Sequence, residues 1–243
     1  MEGSLSTTIE TLIQLDVQRS FQCSKIIKQE ALLSLLKVYA QTNVEVQYCQ
    51  GMNFIAGFVL LLSKDEELAF KFMYCFIEKY KMQNLFVQNV PLLKKSFYVL
   101  DRLISSLYPD ISDFFRTKGI SSSFFASNWI MTLFAQSTQY IKNDVPTPFL
   151  MKVWDYLLLD GWKAIFKAAL FIINEMKEKF IGAQFDKVIS LFSDFTKTKH
   201  LHDESTAKKF QENYKKIKVT NTTLEILTKE YSDMYKDVIE CLK

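Results

Sequence analysis

Apolar residues recur at intervals of three and four along most of the chain and almost nowhere in strict alternation, a pattern that predicts helices rather than strands. Ala31, Leu32, Leu35, Leu36 and Tyr39 define a helix over residues 28–41, interrupted by Thr42-Asn43. The next helix, from about residue 50 to 62, carries Phe54, Ile55, Phe58, Val59 and Leu62 nearly all round, the mark of a central, buried helix. Gly57 inside it costs about 1 kcal/mol relative to Ala in an exposed helix. Close approach of a neighbouring helix is the expected compensation.

Ser63 and Glu66 read as a capping box opening a helix with Leu68, Phe72, Cys75, Phe76 and Tyr80. Pro91 fits a first helical turn, and the apolar face from Leu92 to Leu107 ends at Tyr108-Pro109. Residues 124–134, including Trp129, continue the pattern. Pro148 opens a helix over 149–159 that Gly161 terminates, and residues 164–180 and 184–195 form two more. Thr220 or Asn221 caps a last helix bearing Leu224, Leu227, Tyr231, Tyr235, Val238 and Ile239. The weakly periodic stretch 9–23 reads as a short helical turn followed by an extended segment. These elements predict an all-α fold of roughly ten helices, with a helical domain over 1–195 and a Lys-rich helical segment over 196–243 packed on it.

Composition narrows the function classes. A hydrophobic fraction of 49% with 21 Phe supplies a core, while only six Gly and four Pro argue against a turn-rich sandwich or barrel. The net charge of +3 offers no concentrated basic face for nucleic acid. Lys208, Lys209, Lys215, Lys216 and Lys218 cluster near the C-terminus, a solvated helix face or a weak contact for an acidic membrane surface. Cys23, Cys49, Cys75 and Cys241 form no C-x-x-C pair, and the two His, His200 and His202, complete no metal-ligand set. Free thiols in a reducing compartment are the expectation, with pairing among the four Cys as the alternative. Residues 1–8 carry no signal-peptide pattern, and the longest apolar run, 54–62, falls short of the roughly 20 residues that span a bilayer. The expectation is a soluble, cytosolic protein without a cofactor of its own.

Candidate chemistry concentrates in two places. Tyr48-Cys49-Gln50-Gly51-Met52-Asn53 sets an amide and a glycine between two apolar helices, and upstream Asp16 and Arg19 lie in an otherwise uncharged run from Ile13 to Phe21. By themselves, Arg19 reads as a solvated surface residue, Gln50 as a cap or surface amide and Asp16 as an ordinary cap. Together, Ile13-x-x-Asp16-x-x-Arg19 and Tyr48-x-Gln50-Gly51-Met52 resemble the paired signature of the TBC domain, the Rab GTPase-activating domain. The resemblance continues through Phe124-Phe125-Ala126-Ser127-Asn128-Trp129, through Val153-Trp154-Asp155-Tyr156-Leu157 and Asp160-Gly161, to Ala168-Ala169-Leu170. It covers about residues 9–195.

This resemblance implies an activator of a Rab-family small GTPase, a cytoplasmic protein of vesicle trafficking at endomembrane surfaces. GTP and Mg²⁺ would be carried by the partner, and no independent hydrolase site is implied. Arg19 would be an arginine finger, and Gln50 a second finger orienting the attacking water. Asp16 would hold the Arg19 segment, Gly51 would let the helix start or the partner approach, and Tyr48 and Asn53, with Met52 between them, would steady the Gln50 turn. Trp129 and Trp154 would support the core by burial, and Asp155 by bonding a helix terminus or an Arg or Lys partner. A non-catalytic GTPase-binding or scaffold module using the same surface is the alternative. The family usually has further helices ahead of the first motif, so an apolar patch around Phe54, Phe58 and Leu35 is expected, either exposed or covered by the 220–242 helix or another chain.

Overall fold

The computed structural model describes residues 5–22, 24–140, 144–195 and 203–236, over which the chain forms α-helices and 3₁₀ turns and no strand. Cys23, Cys241, His200, His202, Val238 and Ile239 lie outside the described residues.

The weakly periodic start is a full helix, α1 (Thr7–Gln18), rather than one turn and an extended segment. Ser6 caps it by accepting from the Ile9 amide at 3.4 Å. Its buried face is Ile13, Asp16 and Val17, so a carboxylate stands where the period calls for an apolar residue. The periodicity is weak because a buried polar residue interrupts it.

Helix α2 (Gln29–Thr42) runs into a turn and then into α3 (Met52–Ser63), nine of whose residues are buried. Helix α3 is the centre of this half of the molecule, packed by α1, α2, α4 (Glu66–Lys79) and the 3₁₀ turn Ala135–Tyr140. The crowding at Gly57 comes from a ring, not a helix: a Cβ there would overlap the Phe21 side chain. The capping box is displaced as well. Ser63 still belongs to α3, Lys64 ends that helix in the left-handed region (φ 55°), and Asp65 caps α4 by accepting from the Leu68 amide at 2.7 Å. Phe58 and Leu35 are buried and Phe54 is half-buried against Phe21, so no exposed patch forms there. The exposed large apolar side chains of this half include Leu12, Leu15 and Val44 instead.

The chain continues through α5 (Gln83–Phe86), α6 (Pro91–Leu107) and α7 (Pro109–Lys118). Pro109 ends one helix and opens the next. Residues 124–134 do not form a single helix: after the 3₁₀ turn Ser122–Phe124 comes the short α8 (Ser127–Met131), and Leu133 and Phe134 are both left-handed, with φ of 51° and 64°. Both side chains are buried, so packing holds a backbone conformation that disfavours them. Helices α9 (Pro148–Asp160) and α10 (Trp162–Glu175) form the other half; the expected run to 180 breaks at Met176, where α11 (Lys177–Phe180) begins. Helix α12 (Phe185–Phe195) follows.

Helix α13 (Glu204–Tyr214) packs on α9 and α10, and α14 (Asn221–Met234) packs on α6, away from Phe54 and Phe58. The Phe210 ring sits 5.1 Å from Phe149 and 5.2 Å from Phe171. Lys167, nearly buried, donates to the Tyr214 carbonyl at 3.0 Å and lies 4.4 Å from that ring, while the Tyr214 hydroxyl donates to Asp160 at 2.8 Å. Burial pushes the Lys167 ammonium below its ordinary pKa. Among the described residues, no helix is long and apolar enough to cross a membrane.

Candidate functional site

Arg19 is the C-terminal cap of α1, and the chain turns sharply after it, with Phe21 left-handed at φ 53°. The turn is anchored at both ends. Phe21 plugs the space over Gly57. Further on, the Asp144 carboxylate accepts from the Ser24 hydroxyl at 2.5 Å, the Lys25 amide at 2.7 Å and the Ile26 amide at 3.2 Å. Just ahead of these anchors the Arg19 side chain is 59% exposed, and one of its terminal nitrogens pairs with Oδ1 of Asp16, which is only 8% exposed. The other oxygen of Asp16 accepts from the Tyr48 hydroxyl at 2.5 Å. Burial, reinforced by Asp16, holds the Tyr48 phenol well above the ordinary tyrosine range.

Gln50 lies outside α3, at the tip of the turn before it, rather than on the helix. It is exposed, and its side chain makes no hydrogen bond to the described residues. Asn43 accepts from the Val46 amide at 3.1 Å, Gln47 is left-handed at φ 53°, and Gly51 turns the chain into α3 at φ 110°. A Cβ on Gly51 would stand 3.5 Å from the Met131 carbonyl, an ordinary contact. Positive φ, not lack of room, is what calls for glycine there. Met52 is buried and its sulfur accepts from the Cys49 amide at 3.2 Å. Burial, then Asp16, raises the Cys49 thiol pKa, which is the wrong direction for a nucleophile.

The two turns are fastened to each other by a second, buried route. The Gly51 amide donates to Asn53 Oδ1 at 3.0 Å, Asn53 Nδ2 donates to the Ser20 hydroxyl at 2.7 Å, and that hydroxyl donates to the Asp16 carbonyl at 2.6 Å. Asp16, Arg19, Tyr48, Gly51 and Asn53 are thus brought together with Ser20, to which the sequence reading gave no role. Its only sequence signal is a small polar residue directly after Arg19. Asp144 gave no signal at all, because its partners lie some 120 positions away.

Trp129 and Trp154 are buried. Trp129 packs against Phe125, Phe134 and Phe192, and the Trp154 indole donates to the Leu133 carbonyl at 3.1 Å. Asp155 is exposed and takes the lysine partner expected of it, Lys152 at 3.2 Å, on the surface. Among the described residues, no group of His, Cys, Asp and Glu is arranged to hold a metal ion.

A family model described as the Rab-GTPase-TBC domain matches residues 2–181, which include both turns. The chain belongs to the Rab-GTPase-TBC domain family. This TBC chain is 29% identical to growth hormone-regulated TBC protein 1 of Xenopus tropicalis over 83% of its own length and 59% of the relative's. It is 27% identical to GTPase-activating protein GYP5 of Saccharomyces cerevisiae over 80% of its length and 22% of that protein's. It therefore spans less than two thirds of the relatives it matches. The crystal structure of the Chlamydomonas flagellar RabGAP TBC domain superposes with a TM-score of 0.69 at 21% identity, covering 84% of this chain and 67% of the other. That likeness establishes the all-α fold as the TBC fold.

Proposed function

We propose that this TBC chain activates GTP hydrolysis on a Rab-family GTPase, with Arg19 and Gln50 as the two groups it supplies in trans. One observation carries the reading: both side chains are exposed, on turns tied to each other through Asp16–Tyr48 and Ser20–Asn53. GTP and Mg²⁺ belong to the partner. Phosphoryl transfer needs charge compensation on the transferring group and an oriented water. The Arg19 guanidinium has five N–H donors in a planar fork and stays charged throughout. With one nitrogen on Asp16, its remaining donors can meet phosphate oxygens while the carboxylate fixes the approach. The Gln50 carbonyl can accept from the water, and its amide NH₂ can donate to the partner's backbone. The relatives named as GTPase-activating proteins support the reading, and so does the shared family. Action in vesicle traffic on the cytoplasmic side of endomembranes belongs to the same proposal.

The test is single-turnover GTP hydrolysis on a panel of GTP-loaded Rab proteins. At least one is expected to be accelerated. Arg19→Ala is expected to lower that rate by about 10³- to 10⁵-fold, the general range for an arginine finger, and Gln50→Ala to lower it strongly with an unchanged melting temperature. Full acceleration by the Arg19→Ala/Gln50→Ala double variant would overturn the site. Tight binding of one GTP-loaded Rab without acceleration of any would replace catalysis with the binding-module function.

A further inference from the structure

We propose that Ser20 is a positioning residue whose buried hydroxyl sets the spacing between the Arg19 and Gln50 turns, an inference that rests on the reading of those two residues given above. Two ties join the turns, and they differ in kind. The outer one, Arg19–Asp16–Tyr48, is ionic and contains the Arg19 guanidinium itself. When that guanidinium turns to phosphate oxygens, the outer tie changes. The inner one, Gly51–Asn53–Ser20–Asp16, contains neither acting side chain and can keep its geometry throughout.

The inner tie has one allowed direction. The Gly51 amide can only donate, so Asn53 must present its carbonyl oxygen to it and its NH₂ to Ser20. The Ser20 oxygen is thereby used as an acceptor, and its single proton goes to the Asp16 carbonyl in the last turn of α1. An inverted Asn53 amide would set two donors face to face at Gly51. Ser20 and Asn53 are both shielded from solvent, so neither can replace a lost partner with bulk water, and an unmade bond there is costly. Consecutive donors and acceptors in low dielectric also strengthen one another. Removing the Ser20 hydroxyl cuts the inner tie at its midpoint. It leaves both acting side chains and the outer tie in place.

The prediction is read on three variants: Ser20→Ala, Ser20→Cys, which keeps the shape with a weak donor, and Ser20→Thr, which keeps the hydroxyl. Hydrolysis on a GTP-loaded Rab is measured well below each melting temperature. Ser20→Ala and Ser20→Cys are expected to lower the rate at saturating domain by about 10- to 100-fold, the scale of a small misplacement of reacting groups. The half-saturating concentration should stay nearly constant, and Ser20→Thr should recover most of the rate. Amide hydrogen exchange supplies a readout that needs no GTPase. In Ser20→Ala the Gly51 amide, in the other turn, is expected to exchange about tenfold faster, the equivalent of one hydrogen bond. Faster exchange confined to residues 16–22, with Gly51 unchanged, would overturn the proposal, as would an unchanged saturating rate. If the unaltered protein accelerates no Rab, the functional reading fails, and Gly51 exchange alone decides whether Ser20 couples the turns.

Discussion

The ring of Phe21 fills the place where a side chain on Gly57 would stand. One residue belongs to the turn that follows Arg19, the other to the middle of the central helix α3, so the Arg19 turn is keyed into the core by a missing side chain. Phe21 accepts a left-handed backbone to reach that place.

Gly57→Ala tests this keying. Helix propensity alone favours Ala by about 1 kcal/mol, whereas overpacking a filled core costs about 1–3 kcal/mol. The expected net effect is a lower melting temperature. Pairing it with Phe21→Leu, which shrinks the ring, should recover part of the loss in a double-mutant cycle. Additive effects would mean that the two residues do not compete for one space.

Asp16 holds Arg19 and Tyr48 at once. Asp16→Ala frees the guanidinium and leaves the Tyr48 hydroxyl without its acceptor. Because Arg19 is largely exposed, the ionic part is screened, and the expected destabilisation is about 1–2 kcal/mol, set mainly by the hydrogen bond to a charged group. Tyr48→Phe should cost less, since it removes the donor and leaves the ion pair. Urea denaturation of the two variants ranks them; an equal or reversed order would show that the Arg19 ion pair adds nothing to what Asp16 contributes through Tyr48.

Alkaline pH should weaken the fold through its tyrosines. Burial is the first cause that raises the pKa of Tyr39, Tyr48 and Tyr214, and Asp16 and Asp160 add to it for the last two. A folded-state pKa above the unfolded value means that this stability is complete below about pH 10 and is lost as pH rises beyond it. Each such tyrosine contributes a slope of at most about 1.4 kcal/mol per pH unit. Of the 11 tyrosines, these three should ionise only together with unfolding. An absorbance titration at alkaline pH, followed in parallel by circular dichroism, shows whether that last phase coincides with loss of helix.

Phe210 carries the attachment of α13. It is buried between Phe149 and Phe171, and Phe210→Ala is expected to destabilise the whole protein by about 3–5 kcal/mol. A single cooperative transition shifted as a unit is the expected result. A separate early transition would show that α13 and α14 unfold independently of the rest.

Much of this architecture was legible because apolar periodicity reports burial, and burial dominates α2, α3, α6 and α9. The sequence reading failed where something other than burial set the backbone. Helix α1 was hidden because Asp16 occupies a core position for the sake of Arg19 and Tyr48. The break after α8 was hidden because Leu133 and Phe134 are left-handed residues held by tertiary packing, which local propensity does not see. Ser63 looked like a cap because the pattern could not show that α3 reaches it. At the proposed site, Arg19 and Gln50 were singled out by their motifs, and the exposed turns that carry them could be read from the breaks in periodicity. Ser20 and Asp144 were not, since their meaning lies in partners that are distant along the chain.

Trp154 makes the molecule its own optical reporter. Its indole lies 4.6 Å from Phe58 and 5.2 Å from Phe76, and its N–H is held by the Leu133 carbonyl. Leu133 follows Thr132, whose side chain lies behind Gly51. Two consecutive residues, Thr132 and Leu133, thus stand between the Gln50 turn and the fluorophore. With Trp129 and Trp162 replaced by Phe, docking of a GTPase at Gln50, as proposed, is expected to change the emission colour and intensity of Trp154, visible in a stopped-flow cell without any attached dye.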